Sequence, residues 1–418
     1  MEKSRRRFLK QGTTAGVLGA LPHRFSLASQ RPGELAARID SALTQPVLKS
    51  ELFKQPVKIA SIDLLENNRK YVVRVRASDG ATGLAGAHNS VIRSTYPVLL
   101  NRVAPFFIGK DARELESLIT GVYLTDSNYK WQGLPFWVPV ACLEIAILDL
   151  LGKVAAKSIG ELLGGVVRRE IPVYRASGVR GNTPEQEIEH LKQLVAETGA
   201  KAIKFRLGGR MHFNAETTRR DASLIALTRK VFGDEMTIYA DANGSYDIPT
   251  AIKTGRMMED HKLSFFEEPC PFDYYDETKQ IADALTIPIA GGEQESSLRR
   301  FRWIIEHEAL QIVQPDILYF GGFIRSIRVA RMAAAAGLNC TPHMSGEGLG
   351  FLYVAHFASC VRNSGLFQEF KGEEEDLPVS SDTSSLRSEK GVLKVPSGPG
   401  LGITIDPAFL NKATRVSP

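Results

Sequence analysis

The chain has 418 residues, of which 43% are hydrophobic and 24% are charged, so it can bury the core of a large domain and of a smaller one. Its formal net charge of +5 arises in the first 28 residues, where six Lys or Arg residues outnumber a single acid. The rest of the chain balances 46 basic against 46 acidic residues, which argues against a nucleic-acid partner because such a partner requires a basic surface.

The N-terminal segment resembles a bacterial twin-arginine export signal. Ser4–Lys10 reads Ser-Arg-Arg-Arg-Phe-Leu-Lys, a mildly apolar stretch follows at Thr13–Leu21, and small residues offer a cleavage site near Ala28. A basic tail without this role is the alternative. The apolar stretch is too short to span a bilayer. We therefore expect residues 1–28 to be a signal peptide, and the mature protein to be periplasmic or otherwise exported with no membrane span.

A small domain of mixed secondary structure is predicted next. Residues 29–56 are expected to form a linker or arm, and residues 57–167 the domain itself. Two strands are predicted, at Val57–Ile62 and Tyr71–Arg76, from their β-branched and apolar composition. The remainder of this domain is mainly helical by its pattern.

One predicted helix of this domain is almost entirely apolar. It covers Val140–Leu151 and carries two acids, Glu144 and Asp149, within the hydrophobic run.

The four cysteines of the chain form no Cys-x-x-Cys pair, and buried thiols are the simplest interpretation. Disulfide pairing stays open, because an exported protein meets an oxidising compartment. These cysteines are Cys142, Cys270, Cys340 and Cys360.

From residue 171 onward, short apolar strands alternate with helical stretches. This alternation predicts a parallel sheet closed into a (β/α) barrel, with seven or eight strands. An open doubly wound sheet is the alternative, but no Gly-rich nucleotide loop follows the first strand. The predicted strands are Ile171–Ala176, Ala202–Arg206, Thr237–Asp241, Leu263–Glu267, Ile287–Gly291, Leu310–Gln314, Gly337–Thr341 and Gly365–Glu369.

Side chains that can bind a metal or transfer a proton lie at, or just after, the ends of successive predicted strands. Such positions converge at the C-terminal end of a barrel, where catalytic groups gather. A single acid at a strand end is more often a helix cap or a solvated turn, but this series recurs once per strand-helix unit, which favours one active site. The residues are Lys204 and Arg206 at the end of the second strand, then Asp241, Glu267, Glu293, Asp316 and His343.

The composition of this cluster predicts a metal and a base. Asp241, Glu267 and Glu293 would repel one another unless a hard divalent cation neutralised them, and Mg²⁺ prefers such oxygen ligands. A bound cation can also stabilise the enediolate formed when a proton leaves the carbon next to a carboxylate. The remaining pair fits a base, because the carboxylate of Asp316 would orient the imidazole of His343 and raise its basicity.

Three further patterns resemble the mandelate racemase subgroup of the enolase superfamily. The first is the order Lys-x-Arg, Asp-Ala-Asn, Glu-Glu-Pro, Gly-Gly-Glu, Asp and His, which runs from Lys204 to His343. The second is the helix at residues 141–153, and the third is the Gly- and Pro-rich ending at residues 396–403. The resemblance covers roughly residues 57–406. It implies an N-terminal α+β capping domain at 57–167, a (β/α) barrel at 168–370, and a C-terminal segment at 371–418 that returns to the cap.

The resemblance also implies roles for the site residues. Asp241, Glu267 and Glu293 would bind one Mg²⁺, or Mn²⁺ in its place. Lys204 would contact the substrate carboxylate, and Glu369 would hydrogen-bond the enediolate from the far side. Asp316 and His343 would form the acid/base dyad. Glu268 is expected to point away from the metal, because neighbouring side chains of an extended strand face opposite sides. Loops near 66–70 and 123–137 would close over the substrate, and a homo-oligomer is expected.

Arg206 departs from the family pattern, which commonly has a second lysine base at this place. Arginine keeps its proton at almost any working pH and is a poor base. Racemisation generally needs a base on each face of the carbon, whereas His343 alone can serve a syn dehydration. We therefore expect a lyase that converts an acid sugar or another hydroxy acid to a 2-keto-3-deoxy acid. A racemase, epimerase or lactone cycloisomerase is the alternative, followed by a barrel that only binds a small carboxylate.

Overall fold

The computed structural model describes residues 32–345, 349–372 and 377–417. The predicted signal peptide at residues 1–28 lies outside these ranges. The N-terminal region consists of an antiparallel sheet packed on helices. Its elements are α1 (Pro32–Thr44), β1 (Ile59–Asn67), β2 (Lys70–Ala77), β3 (Thr82–Gly86), α2 (Asn89–Val98), α3 (Ala104–Phe107), α4 (Leu115–Leu124), α5 (Leu134–Ala155) and α6 (Ile159–Leu162).

The third strand of this sheet is absent from the sequence prediction. β3 reads Thr-Gly-Leu-Ala-Gly, and glycine is depleted in strands. The structure gives the reason for one of these glycines: a Cβ at Gly83 would overlap the backbone of α5 at Ala146. Residues 66–70, predicted as a free loop, are instead a tight hairpin in which Asn68 and Arg69 have φ values of 52° and 63°.

The barrel alternates strand and helix, as the sequence predicts. Its elements are β4 (Glu170–Ala176), α7 (Pro184–Thr198), β5 (Ala202–Arg206), α8 (Ala215–Phe232), β6 (Thr237–Asp241), α9 (Ile248–Asp260), β7 (Phe265–Glu267), α10 (Tyr275–Ala284), β8 (Ile289–Gly291), α11 (Leu298–Glu306), β9 (Ile312–Val313), α12 (Phe323–Ala335), β10 (Asn339–Cys340), α13 (Gly350–Cys360) and β11 (Gln368–Phe370).

Eight parallel strands form the barrel in the described part of the chain, one more than the lower of the two predicted numbers. Each strand from β4 to β9 pairs in parallel with the next, and β11 pairs in parallel with β4. The register aligns Arg206 with Asp241 and Asp241 with Glu267. The ends of the strands therefore lie at one level, which we call the barrel mouth: the residues that follow the C-terminal ends of β4–β11.

Local sequence signals define the barrel helices. α7 begins with a capping box, in which Thr183 accepts a hydrogen bond from the backbone N–H of Gln186 and the Gln186 side chain accepts one in return. Pro184 occupies the first turn, and Gly199 ends the helix with φ 64°. The start of each helix fixes where the strand-to-helix loop before it ends, and hence which side chains of that loop reach the barrel mouth.

The C-terminal segment contacts both halves of the molecule. β14 pairs with β4 of the barrel, and β16 pairs with β1 of the cap. α1, which lies in the predicted arm, packs on the barrel, where Asp40 forms an ion pair with Arg302. The elements of the C-terminal segment are β12 (Val379–Ser380), β13 (Ser388–Glu389), β14 (Val392–Lys394), β15 (Thr404–Ile405), α14 (Pro407–Lys412) and β16 (Thr414–Arg415).

The long apolar helix α5 is the core element of the cap. It is the one helix among the described residues that is long and apolar enough to cross a membrane, and 89% of its most apolar window is buried inside the protein. Glu144 accepts hydrogen bonds of 2.8 Å from the backbone N–H groups of Phe323 and Ile324, at the start of barrel helix α12. The helix therefore joins the cap to the barrel. All four cysteines are free thiols.

Candidate active site

Three buried carboxylates end neighbouring strands at the barrel mouth. Asp241 and Glu267 are 0% exposed and Glu293 is 6% exposed. One oxygen of each accepts no hydrogen bond: Oδ2 of Asp241, Oε1 of Glu267 and Oε2 of Glu293. Oδ2 of Asp241 faces the Arg206 guanidinium, and Oε2 of Glu293 lies 3.2 Å from His343 Nε2. Buried polar atoms are nearly always hydrogen-bonded, so a ligand is expected to complete this site.

The donor chemistry of these acids fits a hard divalent cation, which carboxylate oxygens prefer to bind. Within the described part of the chain, however, no three His, Cys, Asp or Glu residues are arranged closely enough to hold a metal ion. Basic side chains lie among the acids instead. The Lys204 ammonium is 2.6 Å from Glu267 and 3.9 Å from Asp241, and Arg206 forms an ion pair with Asp241.

His343 and Asp316 come together as the sequence predicts. The imidazole Nδ1 is 2.8 Å from Asp316 Oδ2. The other oxygen of Asp316 accepts hydrogen bonds from the backbone N–H groups of Leu318 and Tyr319 and from the Ser345 hydroxyl, at 2.8, 2.9 and 3.0 Å. These donors hold the carboxylate in place, so His343 presents Nε2 to the barrel mouth.

Glu369 lies across the mouth, close to Lys204. Its Oε1 is 2.9 Å from the Lys204 Nζ, and its Oε2 accepts a 2.8 Å hydrogen bond from the backbone N–H of Met344. Burial alone would raise the pKa of Glu369, but the charges of Lys204, Lys371, His343 and Arg206 outweigh it and hold the pKa well below its usual range. The group is therefore a carboxylate that can accept hydrogen bonds.

Arg206 is held by several acceptors. Its Nε donates to the backbone oxygen of Ser177 at 3.1 Å, and its Nη1 donates to Asn243 Oδ1 at 3.3 Å. Together with the ion pair to Asp241, these contacts fix the guanidinium on the β5 side of the mouth. The same Asn243 oxygen accepts a hydrogen bond from Arg180, which lies in the loop after β4.

Glu268 follows Glu267 but has a different environment. It borders the space between β8 and α10, together with Cys270 and Thr278. Its φ of 42° shows that the chain is not extended here, so strand alternation is not the reason for its orientation. Burial, followed by the charges of Glu293 and Glu267, raises its pKa well above the usual value.

One residue of the mouth is missing from the sequence prediction. Lys371 follows β11, and its Nζ is 3.2 Å from His343 Nε2 and 3.9 Å from Glu369 Oε1. The Lys371 ammonium also donates to the backbone oxygen of Met344. The spacing Glu369-x-Lys371 is a signal that could have revealed it, because alternate residues of a strand share a face.

Beneath these groups, aromatic rings fill the barrel. Tyr239 and Phe265 stack with ring centroids 3.9 Å apart, and Tyr174 meets Tyr239 edge-on at 5.0 Å. The Lys204 ammonium lies 5.3 Å from the centroid of the Tyr174 ring. This apolar floor closes the barrel below the site and keeps the charged groups at the mouth.

Two family models match the chain. The model described as enolase C-terminal domain-like matches residues 186–409, which is more than half of the chain. The model described as mandelate racemase/muconate lactonizing enzyme, N-terminal domain, matches residues 43–164. The two matches coincide with the barrel and the cap.

Individual relatives agree with these models. An arabinonate dehydratase of Saccharolobus solfataricus is 29% identical over 338 residues, which cover 79% of this chain and 87% of that protein. A D-galactarolactone cycloisomerase of Agrobacterium fabrum is 26% identical and covers 72% of this chain and 80% of its own. A mandelate racemase/muconate lactonizing protein from Paracoccus denitrificans, solved in complex with magnesium, is 26% identical with a TM-score of 0.78, and covers 86% of this chain and 99% of its own.

Proposed function

The chain belongs to the mandelate racemase and muconate lactonizing enzyme group of the enolase superfamily, and we propose that it dehydrates an acid sugar or another hydroxy acid to a 2-keto-3-deoxy acid. The named relatives, an arabinonate dehydratase and a D-galactarolactone cycloisomerase, support an enzyme that acts on sugar-derived carboxylates. The contacts at the barrel mouth support removal of a proton from C2 and loss of a hydroxyl from C3 of such a substrate.

The observation that carries this proposal is the contact between His343 and Asp316. The 2.8 Å contact with a carboxylate, whose other oxygen already accepts three hydrogen bonds, supports a tautomer with the imidazole proton on Nδ1. In that tautomer the lone pair of Nε2 faces the mouth, where Lys371 Nζ and Glu293 Oε2 each lie 3.2 Å away. His343 removes the proton from C2 of the substrate, and Asp316 stabilises the imidazolium that results.

The opposite side of the mouth holds the substrate. Lys204 is fully buried between Glu267 and Glu369, and its ammonium binds the substrate carboxylate. Glu369 lies within 3.9 Å of His343 Nε2, so its carboxylate is close enough to the reacting carbon to accept a hydrogen bond from a substrate hydroxyl.

Arg206 favours dehydration over racemisation. Its guanidinium stays charged and is engaged by Ser177, Asn243 and Asp241, so it cannot take a proton from the second face of the carbon. One base, His343, suffices for a dehydration in which the proton and the hydroxyl leave from the same side.

The three carboxylates are assigned to one Mg²⁺, with Mn²⁺ as the alternative. Asp241, Glu267 and Glu293 offer buried carboxylate oxygens that accept no hydrogen bond, and the relative from Paracoccus denitrificans was solved with magnesium. When bound, the ion supplies the positive charge that offsets the negative charge developing on the substrate carboxylate. Its binding requires Arg206 to leave Asp241.

An isomerase is the second candidate, because a lactone cycloisomerase is among the relatives. Removal of a proton by His343 serves an isomerase as well as a dehydratase, since it does not require loss of water. A barrel that only binds its ligand is disfavoured by the complete set of metal ligands, dyad and lysine. The two enzymatic candidates differ in one product, the 2-keto acid.

The test is incubation of the protein with Mg²⁺ and a library of acid sugars in D₂O, with 2-keto acid and deuterium at C2 measured together. Keto acid from one library member, lost in His343→Asn, supports the dehydratase. Deuterium at C2 without keto acid would replace the proposal by a racemase, epimerase or cycloisomerase. If neither signal appears with any acid sugar, the proposed substrate class is wrong.

Export and assembly stay predictions. A twin-arginine signal predicts that the mature protein accumulates in the periplasm, and that replacing Arg5 and Arg6 by Lys retains it in the cytoplasm. A homo-oligomer, expected from the family, predicts a mass in light scattering that is a multiple of the chain mass.

A further inference from the structure

Lys371 has no role in the chemistry described so far, yet its ammonium touches the base. Nζ lies 3.2 Å from His343 Nε2, the nitrogen that faces the substrate. The side chain is 26% exposed, so it reaches the mouth from the solvent side. It follows Glu369 by two residues, directly after the last barrel strand, and its ammonium lies 3.9 Å from Glu369 Oε1.

The contacts of Lys371 leave it with a proton to donate. The ammonium carries three N–H groups, of which one donates to the backbone oxygen of Met344 and one, in the tautomer with the proton on Nδ1, donates to His343 Nε2. Glu369 is 3.9 Å away, beyond hydrogen-bond distance. A substrate that displaces the ammonium from Nε2 therefore meets a cationic donor beside the carbon that His343 deprotonates.

Lys204 and Arg206, two other cations of the mouth, are unsuited to this role; return of the proton by His343 itself is the alternative, which full activity of Lys371→Met would support. Lys204 is 0% exposed and lies 2.6 Å from Glu267 and 2.9 Å from Glu369, so its protons are committed to carboxylates. Arg206 is a guanidinium, which does not release its proton in a protein. Dehydration nevertheless needs a proton at the departing oxygen, because hydroxide is a poor leaving group.

We propose that Lys371 is a further catalytic residue, the general acid that protonates the departing hydroxyl at C3 of the substrate. This inference rests on the proposed dehydratase function. His343 Nε2 takes the proton from C2, the electron pair of that bond becomes the C2–C3 double bond, and the C3–O bond breaks. The departing oxygen takes a proton from Lys371 Nζ and leaves as water.

The contact between the two nitrogens then restores both groups. His343 holds the proton taken from C2, and Lys371 is a neutral amine. The proton passes from Nε2 to Nζ across the distance of 3.2 Å at which the structure places them. The enol product tautomerises to the 2-keto acid, so that the net change is the loss of one water and no other reactant is consumed.

The test varies the leaving group and the lysine together. A 3-deoxy-3-fluoro analogue of the accepted acid sugar expels fluoride, which leaves with far less help from an acid. Lys371→Met is expected to lower kcat on the 3-hydroxy acid by about 10²–10³-fold, the usual range for general acid catalysis, and to lower kcat on the fluoro analogue by about tenfold or less. His343→Asn should abolish turnover of both substrates.

Two further readouts separate acid catalysis from a simple charge effect. In D₂O, Lys371→Met should still exchange the proton at C2 of recovered substrate, because His343 is intact. Lys371→Arg keeps the positive charge near Glu369 but is a poor proton donor, and should be as slow as Lys371→Met on the 3-hydroxy acid.

Several results would overturn the inference. Equal losses on the hydroxy and fluoro substrates, full activity of Lys371→Arg, or full activity of Lys371→Met would each show that the lysine does not protonate the leaving group. Absence of keto acid from the unmodified enzyme with every acid sugar would instead overturn the proposed function, and the inference with it.

Discussion

Two sets of acidic side chains are buried in this protein, and they differ in what their oxygen atoms contact. On helix α5, Glu144 accepts hydrogen bonds from the backbone N–H groups that begin α12. Asp149 accepts from the backbone N–H groups of Leu84 and Leu401 and forms an ion pair with Lys153.

The acids of the barrel mouth are no less buried, but their contacts are incomplete. Asp241, Glu267 and Glu293 each keep an oxygen that accepts no hydrogen bond, although Arg206 and His343 approach those of Asp241 and Glu293. Burial of an acid therefore does not by itself identify a functional site. In these two sets, the acids whose oxygens are all hydrogen-bonded join parts of the fold, whereas the acids of the mouth have oxygens that a ligand can take.

The largest effect expected from this comparison concerns two histidines. His343→Asn should lower kcat/KM by about 10³–10⁴-fold, since general base catalysis contributes on that order, while the melting temperature stays nearly unchanged because an amide can still reach Asp316.

The matched control variant is His356→Asn. His356 is fully buried and contacts the backbone oxygen of Leu401 at 3.0 Å, so this variant should lose stability and keep its activity per folded molecule. Equal activity losses in the two variants would remove the distinction.

Loss of the carboxylate at Glu144 should destabilise the fold. Glu144→Ala leaves two buried N–H groups at the start of α12 unpaired, which should lower the free energy of unfolding by about 2–4 kcal/mol. Urea denaturation followed by circular dichroism measures this. Glu197 is exposed on α7, and Glu197→Ala is the control, expected within about 0.5 kcal/mol of the unchanged protein. A Glu144→Ala protein as stable as this control would contradict the structural role.

The pH dependence of stability offers a finer test of the same residue. Burial, which outweighs the two backbone hydrogen bonds and the charges of Arg325 and Arg328, raises the pKa of Glu144 to about 8. The folded state then holds this proton to higher pH than the unfolded chain, so the free energy of unfolding falls as pH rises from the unfolded pKa toward the folded one.

Glu144→Gln removes this titration. The unchanged protein should lose stability faster between about pH 5 and pH 8 than the variant does, by at most about 1.4 kcal/mol per pH unit for one proton. Denaturation curves at three pH values across that range give the slopes. Identical slopes for the two proteins would mean that Glu144 does not titrate there.

The smallest expected change concerns the stability of a mouth acid. Glu293→Gln removes a charge that repels Glu267 and Glu268, while Gln294 still donates to the remaining oxygen, as it does to Glu293 Oε1 at 3.0 Å. In the absence of metal, the free energy of unfolding should stay the same or rise by up to about 1 kcal/mol, as is common when a functional residue is replaced. A loss comparable to that of Glu144→Ala would place Glu293 among the structural acids.

The sequence was sufficient for the barrel and for most of the site because one chemical residue recurs per strand-helix unit. Asp316 and His343 could be paired for the same reason, since the ends of parallel strands meet at one edge. β3 was missed because glycine is depleted in strands, whereas Gly83 is required here by the close approach of α5. Lys371 was missed because its contact with His343 depends on the geometry of the last strand, which spacing alone does not give.

The role of α5 was equally hidden. Glu144 and Asp149 stood out in the sequence as charges within an apolar helix, but their partners lie at residues 323–324 and 401, far away in the chain. No local pattern connects such positions. What distinguished the two sets of acids was the hydrogen bonding of individual oxygens, which requires coordinates.

The most direct test of the distinction is a calorimetric titration with Mn²⁺ of three proteins: the unchanged chain, Glu267→Gln and Glu144→Gln. We predict one binding site in the unchanged protein, at least about tenfold weaker binding in Glu267→Gln, consistent with the loss of one charged ligand, and unchanged affinity in Glu144→Gln once it is folded. Absence of binding to the unchanged protein, or equal weakening in both variants, would contradict the assignment of the three carboxylates of the barrel mouth to a metal ion.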